Sequence, residues 1–413
     1  MNQRPGRPSA RRRWRSPGRV LPSLAALPML ALVLTGLVAC QPPAPRPSPA
    51  PSASAPPTQG ETTPPGSEAS PSSTAGAGTG TKPADSAKAA GTPRHIFVIN
   101  LENKGYSSVW GDNSAAPYLS GTLRKKGVLL KNYYGVAHNS LPNYLAQISG
   151  QRPNDSTVGD CHTYTEFIAT GTDPDGALQG DGCVYPQDTQ TLAGQLTAQG
   201  KTWKGYMEDM QQPCEHPVLG EADDHIKATP EEQYSTHHNP FVYFRSITSS
   251  PDCAANVVNF SALHDDLKTV ATTPNLAYIS PNLCHDGHDN TCIDGSEGGL
   301  AAADSWLKEQ VPAILSSPAY KQDGMLVITF DEAEGNETDS TDPGSAPAGG
   351  TAGGQVGALV LSPFGKTGTS STTPYNHYSL LATIEDLFHL PRLGLAGDPG
   401  VNTFGDDVYR KES

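Results

Sequence analysis

Most of the short motifs that announce common chemistry are missing from this chain. It has no Cys-x-x-Cys pair, no Gly-x-x-x-x-Gly-Lys-Ser/Thr loop, no Gly-x-Gly-x-x-Gly turn after an apolar run and no Gly-x-Ser-x-Gly elbow. The first absence argues against a zinc ribbon. The second and third argue against nucleotide phosphates cradled at a helix N-terminus. The last counts against an esterase of the α/β-hydrolase type. No internal repeat is visible. Basic residues are scarce, with 28 Lys and Arg against 42 Asp and Glu and a formal net charge of −14. Nucleic-acid binding is dominated by phosphate neutralisation, so no nucleic-acid partner is expected. An acidic surface also repels an anionic substrate unless a metal ion or local cations reverse the field at the site.

Large apolar side chains are absent from residues 41–92, which contain no Val, Ile, Leu, Met or aromatic residue. Pro, Ser, Ala, Thr and Gly cannot bury enough surface to offset their ordering entropy. Residues 40–92 therefore read as a tether, spanning about 40 Å as a coil. Before it, residues 1–19 hold seven Arg and no acid, and Val20–Val38 is apolar but broken by Pro22, Ser23 and Pro28. Leu37-Val38-Ala39-Cys40 follows. Charged start, apolar middle and small residues before a cut describe a secretory signal over 1–39. The last four residues resemble a bacterial lipobox, which makes Cys40 the lipid-bearing first residue of a surface lipoprotein. An uncleaved membrane anchor is the alternative. Loss of the seven Arg takes the net charge from −14 to −21.

Residues 93–413 then form one domain, long enough for a large α/β core. Six cysteines remain: Cys161, Cys183, Cys214, Cys253, Cys284 and Cys292. An even number in an exported chain suggests disulfides, in any of 15 pairings. Nearest-neighbour pairing is the expectation.

The run His95–Leu101 is apolar and ends abruptly in Glu102-Asn103. Met325–Phe330 repeats the pattern and ends in Asp331-Glu332. Both read as buried central strands. Ligands in open α/β sheets bind beyond the carboxyl ends of the strands. Acidic and amide groups from two strands at one edge suggest a hard metal ion between them. Further strands are expected at 127–134, 202–207, 276–280 and 356–361. Helices are expected at 117–126, 191–199, 260–270, 300–315 and 379–388. A disulfide-held irregular excursion is expected at 151–190, an acidic then Gly-rich loop at 333–354, and a peripheral tail at 392–413. Alternating strands and helices point to an α/β fold, a mostly parallel sheet with helices on both faces.

Between the two acidic ends lie three polar groups. Ser140-Leu141-Pro142-Asn143 opens a helix that stops at Gly150, and Ser140 reads either as its N-cap or as a hydroxyl poised where helix amides favour an anion. His237-His238-Asn239-Pro240 leads into an aromatic cluster. Cys284-His285-Asp286-Gly287-His288-Asp289 follows a strand and reads as metal ligands or as a solvated loop.

In this order, these groups and His377 resemble the bacterial phosphoesterase family of acid phosphatases and phospholipases C, over residues 93–392. That family belongs to the alkaline-phosphatase-like superfamily, and its short secreted members include phosphatases of phosphatidylinositol 3-phosphate. The resemblance implies a Ser140 nucleophile, because related nucleotide pyrophosphatases carry their nucleophilic Thr directly before Phe-Pro-Asn. It implies a divalent cation held by Glu102, Asn103, Ser140, Asp331 and Glu332. His285, Asp286, His288 and His377 resemble the second metal site of the superfamily. Asn282 and Glu332 stand where the two-metal enzymes have Asp and His, so one ion is expected rather than two. His238, His288 and His377 would then hold phosphate or protonate the leaving group, giving an acidic optimum. The expected substrate is a phosphorylated small molecule or a phosphoinositide. A phospholipase C acting on diesters is the alternative, and a lipid-anchored protein that binds phosphate or metal without turnover is another. A sulfatase is disfavoured, since Ser140-Leu141-Pro142-Asn143-Tyr144 lacks the Arg of the C/S-x-P-x-R motif.

Overall fold

The computed structural model describes residues 91–334 and 353–410. The signal, the lipid-bearing Cys40, nearly all of the tether and most of the 333–354 loop lie outside the described residues.

Strand β1 (His95–Leu101) is buried along its whole length. So are β5 (Leu276–Ser280) and β6 (Gly324–Phe330), between which it lies. Burial on both faces explains continuous apolar runs in place of alternation. The other sheet strands are β2 (Val128–Leu130), β3 (Trp203–Met207), β4 (Val257–Asn259), β7 (Ala358–Leu361) and β8 (Thr369–Ser371). Their spatial order is β8-β2-β7-β6-β1-β5-β3-β4. Only β7 runs antiparallel to its neighbours β2 and β6; every other pairing is parallel. The expected α/β class with a mostly parallel sheet is what the chain adopts.

Register decides the position of the site. β1 and β6 pair from His95 opposite Gly324 to Leu101 opposite Phe330. Parallel strands in that register end together, so Glu102 and Asp331 leave the sheet side by side. The ladder continues past the strand ends: Asp331 N donates to Leu101 O at 2.9 Å, and Glu102 N donates to Asp286 O at 2.9 Å.

Helix α1 (Ser140–Ser149) packs with α2 (Leu192–Ala198) and α4 (His377–Phe388). Helix α3 (Gly299–Ser316) packs with the turns at 118–123 and the helix Pro318–Asp323. Thr191 caps α2 by accepting from Gly194 N at 3.1 Å. Asn376 caps α4 by accepting from Ser379 N at 3.1 Å, so α4 starts at His377, two residues before the expected start.

Some expected elements are shorter or differently placed. The expected helix at 260–270 shrinks to Phe260–Ala262 and Leu263–Asp266. Thr272 and Thr273 hydroxyls each donate to Asp266 O at 2.9 Å, which gives the backbone an alternative to the helix. The expected strand at 127–134 splits, and Tyr133–Tyr134 pairs with Tyr375–Asn376 away from the main sheet. The excursion at 151–190 contains an antiparallel ribbon, Ile168–Thr172 with Leu178–Asp181. The tail is not peripheral, since Leu395, Phe404 and Val408 are buried. Cysteines pair as expected: Cys161–Cys183, Cys214–Cys253 and Cys284–Cys292.

Candidate functional site

Four segments converge beyond the carboxyl ends of β1, β5 and β6. Glu102 is fully buried at the end of β1. Its Oε2 accepts from Ser140 Oγ at 2.8 Å, and its Oε1 accepts from Tyr144 OH at 2.6 Å. His238 places Nε2 3.2 Å from Glu102 Oε1 and Nδ1 3.1 Å from Asp286 Oδ2. Its ring stacks on Tyr144 with centroids 5.3 Å apart. Asn103 adopts a left-handed φ of 52°, which Asn tolerates better than most residues. Its amide donates to Asp331 Oδ1 at 2.9 Å.

Ser140 is not the cap of its helix. It is the first helical residue and its hydroxyl points to Glu102. The capping duty falls to Asp160, whose Oδ1 accepts from Leu141 N at 3.0 Å. Pro142 has no N–H. The first-turn amides at 141 and 142 are therefore not offered to a phosphate, contrary to the expectation of a bare helix N-terminus. Asn143 holds the approach to Ser140 instead. Its Oδ1 accepts from Val136 N at 2.7 Å and Ala137 N at 3.2 Å, and its Nδ2 donates to Ala137 O at 2.9 Å and Asn139 O at 2.7 Å. Asn143→Ala leaves three buried groups and the half-buried Asn139 carbonyl without that partner, each buried one costing about 1–3 kcal/mol. The expected result is a loss of at least about 3 kcal/mol in thermal unfolding, with faster amide exchange at residues 136–140.

The other expected residues are distributed unevenly. Glu332 lies beside the site, with Oε2 3.8 Å from His138 Nδ1. Asp286 is fully buried, and its Oδ1 accepts from His288 N at 2.7 Å. The His288 ring stands at the rim, 6.3 Å from that of His238, with Nδ1 2.9 Å from Asp289 Oδ1. His377 is turned inward. Its Nδ1 lies 3.2 Å from Tyr133 OH and 3.1 Å from Gln147 Nε2, and its Nε2 lies 2.5 Å from Asp331 O. Gln147 Nε2 can only donate, so Nδ1 accepts and Nε2 carries the proton to the Asp331 carbonyl. Both nitrogens are then engaged by the protein. His285 points away, with Nδ1 3.0 Å from Glu208 Oε1.

Tyr144, Gln147 and Asp160 belong to the site but were not singled out from the sequence. A signal for the first two existed. Ser140, Tyr144 and Gln147 stand at i, i+4 and i+7, one face of a helix. Asp160 had no such signal, because only the Cys161–Cys183 excursion brings it back to the helix start.

Electrostatically the site is a buried acidic cluster, with Lys104 beside it donating to Asn103 O at 3.0 Å. Burial raises Glu102 well above the usual carboxylate range, and the charges of Asp331 and Asp286 push the same way. Burial raises Asp331 to about 6 and Asp286 to about 8. Glu332 rises to about 9 through burial and then the Asp331 and Asp160 charges. Burial pushes His238 well below its ordinary value and His377 down to about 4. Asn103 Oδ1 and Asp331 Oδ2 are buried and meet no hydrogen-bond donor, and Asp286 Oδ2 faces only His238 Nδ1. Orphaned oxygens of this kind cost free energy unless a cation takes them. Glu102, Asn103, Ser140 and Asp331 thus suit a divalent ion that prefers oxygen.

Fold and site together define an α/β protein with an oxygen-rich, acidic cleft at the carboxyl ends of its central strands. The chain belongs to the Phosphoesterase family, whose model matches residues 112–391. It is 27% identical over 306 residues to a Kluyveromyces lactis protein named probable acid phosphatase, covering 73% of this chain and 59% of that one. It is 26% identical over 321 residues to a Penicillium chrysogenum phosphate-repressible acid phosphatase, covering 75% and 65%. The chain thus spans less than two thirds of the length of either fungal relative. A Mycobacterium tuberculosis protein named phosphatidylinositol-3-phosphatase is 25% identical over 324 residues, covering 78% of this chain and 86% of that one. Among solved structures, a Vibrio parahaemolyticus protein of the alkaline phosphatase superfamily aligns over 73% of this chain and 67% of its own, at 12% identity and a TM-score of 0.42.

Proposed function

We propose that this chain hydrolyses phosphate monoesters, with Ser140 as nucleophile and one divalent cation held by Glu102, Asn103, Ser140, Asp331 and Glu332. The observation that carries this reading is the Ser140 hydroxyl, buried, at the start of α1, and donating to Glu102 at the sheet edge that also holds the unpartnered Asp331 Oδ2. Family membership and the names of the relatives support the reaction class.

The cation, when bound, supplies charge to the phosphoryl oxygens and lowers the pKa of the serine hydroxyl. The residues do the rest. Glu102 Oε2 takes the hydrogen bond of Ser140 Oγ–H, so the Oγ lone pairs are free to meet phosphorus in line with the leaving oxygen. Tyr144 and His238 hold Oε1 of the same carboxylate from the other side. His377 fixes the Asp331 backbone, and Asn143 fixes the loop before Ser140. The Ser140 Oγ–P bond forms as the ester P–O bond breaks, and the Oγ proton passes to Glu102 Oε2 along the existing hydrogen bond. His288, at the solvent rim, gives a proton to the departing oxygen and takes one back from the water that attacks next, while Glu102 returns its proton to Oγ. Water then cleaves the phosphoserine and restores Ser140. Asp286 holds the His288 amide and lies beside His238.

The substrate is proposed to be a phosphorylated small molecule or a phosphoinositide headgroup. The chain is proposed to act outside the cell, as a lipoprotein anchored through Cys40. Hydrolysis of p-nitrophenyl phosphate and bis(p-nitrophenyl) phosphate from about pH 4 to 9, before and after chelation and cation add-back, tests the reaction. Monoester turnover that chelation removes, with a maximum below about pH 7, is expected. Preference for the diester moves the chain to the phospholipase C side. Binding of phosphate or metal without turnover of either ester overturns the reading.

A further inference from the structure

A second group of ligand side chains lies outside the cleft, on the segment that leads to His238. We propose that Glu215, His225 and Glu232 bind a structural divalent cation, with Asp223 and Asp224 behind the imidazole. One oxygen of Glu215, one of Glu232 and one nitrogen of His225 all lie within 4.8 Å of one another. His225 Nε2 is 3.3 Å from Glu232 Oε2. Two ligands about 2.1 Å from a tetrahedral ion sit about 3.4 Å apart, so this pair already has the spacing of metal ligands. On the other side of the ring, Nδ1 lies 3.1 Å from Asp224 Oδ1 and 3.8 Å from Asp223 Oδ1. A carboxylate behind the non-ligating nitrogen is how metal-bound histidines are oriented.

The cluster is satisfied only in part: Glu215 Oε2 accepts from Gln211 N at 2.8 Å and Gln212 N at 3.0 Å, and Asp223 Oδ1 from His225 N at 2.9 Å. Asp223 Oδ2 and Glu232 Oε1 are buried and meet no hydrogen-bond partner. The Asp223 side chain is wholly buried and faces the imidazole. Among the described residues, no Lys or Arg forms an ion pair with any of the four carboxylates. An orphaned carboxylate oxygen with no cation beside it is costly, and a bound ion removes that cost. One imidazole with two carboxylates suits Zn²⁺ or Mn²⁺ better than Ca²⁺ or Mg²⁺, which take oxygen sets.

The placement gives the ion a task. Asp223 Oδ1 accepts from Thr236 Oγ1 at 3.2 Å. Thr236 opens the turn Thr236–His238, which sets His238 against Glu102. An ion at His225 holds that turn from outside without touching the reacting groups.

The test is Zn²⁺ titration and elemental analysis of the metal-stripped full chain, with His225→Ala, Glu232→Gln and Asp331→Asn beside it. The wild type is expected to bind one equivalent more than His225→Ala, and Glu232→Gln is expected to bind that equivalent at least about tenfold more weakly. Asp331→Asn keeps it. Equal stoichiometry and affinity in the wild type, His225→Ala and Glu232→Gln overturn the proposal. Glu232→Gln preserves shape on a partly exposed side chain, so it decides the matter if His225→Ala fails to fold. The inference does not rest on the proposed reaction. Failure of that reaction shows as no turnover of either ester, or as turnover surviving Ser140→Ala, and leaves this difference in stoichiometry untouched.

Discussion

Ser140→Ala is expected to lower phosphomonoester turnover by at least about 10³-fold, because no other group can take over an in-line covalent step. The protein is expected to stay folded. Ser140 does not cap α1, so the substitution removes a single hydrogen bond, to Glu102, worth about 1 kcal/mol. Asp160 continues to hold the Leu141 amide. Thermal unfolding and steady-state kinetics on one preparation separate the two effects. Turnover within a few fold of wild type, with the fold intact, would remove Ser140 as nucleophile. A variant that unfolds would show instead that the hydroxyl is structural.

The second large effect concerns charge. In the cation-free protein, Asp331→Asn is expected to raise stability, against the usual outcome for a buried polar substitution. Burial lifts the Asp331 carboxyl to about 6 in the folded chain, against a reference near 3.9 in the unfolded one. A folded-state value above the unfolded one means that the native state binds more protons. Stability is therefore greatest at low pH and is lost as pH rises from about 4 through about 6. Asp286, lifted to about 8, extends the loss upward. Chelated wild type is expected to melt lower at neutral pH than at mildly acidic pH, and Asp331→Asn is expected to flatten the lower part of that slope. Asn preserves the shape and can still accept from Asn103 N, and His377 engages the main-chain oxygen, which does not change. Added cation reverses the order. At about 100 times its Kd it stabilises the wild type by about 2.7 kcal/mol, and the variant gains much less. Melting curves with and without chelator, at mildly acidic and neutral pH, check both signs. A chelated variant that is less stable than wild type at neutral pH would show that Asp331 is not an uncompensated charge.

The site was partly readable because its chemistry sits at strand ends. His95–Leu101 and Met325–Phe330 announce themselves by composition, and the abrupt change to Glu102-Asn103 and Asp331-Glu332 marks the edge where these polar groups gather. Cysteine pairing followed the short separations in sequence. The roles of the histidines were not readable in this way. His285, His288 and His377 look alike on paper, yet one faces Glu208, one stands at the rim and one is locked behind Asp331. Direction of a side chain depends on which neighbours take its hydrogen bonds, and those neighbours come from distant segments. Ser140 shows the same limit: its preference for capping is real, but Asp160 takes the cap and frees the hydroxyl.

By its order of residues alone, this chain determined an α/β architecture, its acidic strand ends and its family, because hydrophobic periodicity and local motifs are properties of short stretches. Only the tertiary structure decided which carboxylates share a cavity, since parallel register sets Leu101 opposite Phe330 and delivers Glu102 and Asp331 together. It also decided which groups lack a partner, because desolvation and orphaned oxygens exist only once both sides of a cavity are closed.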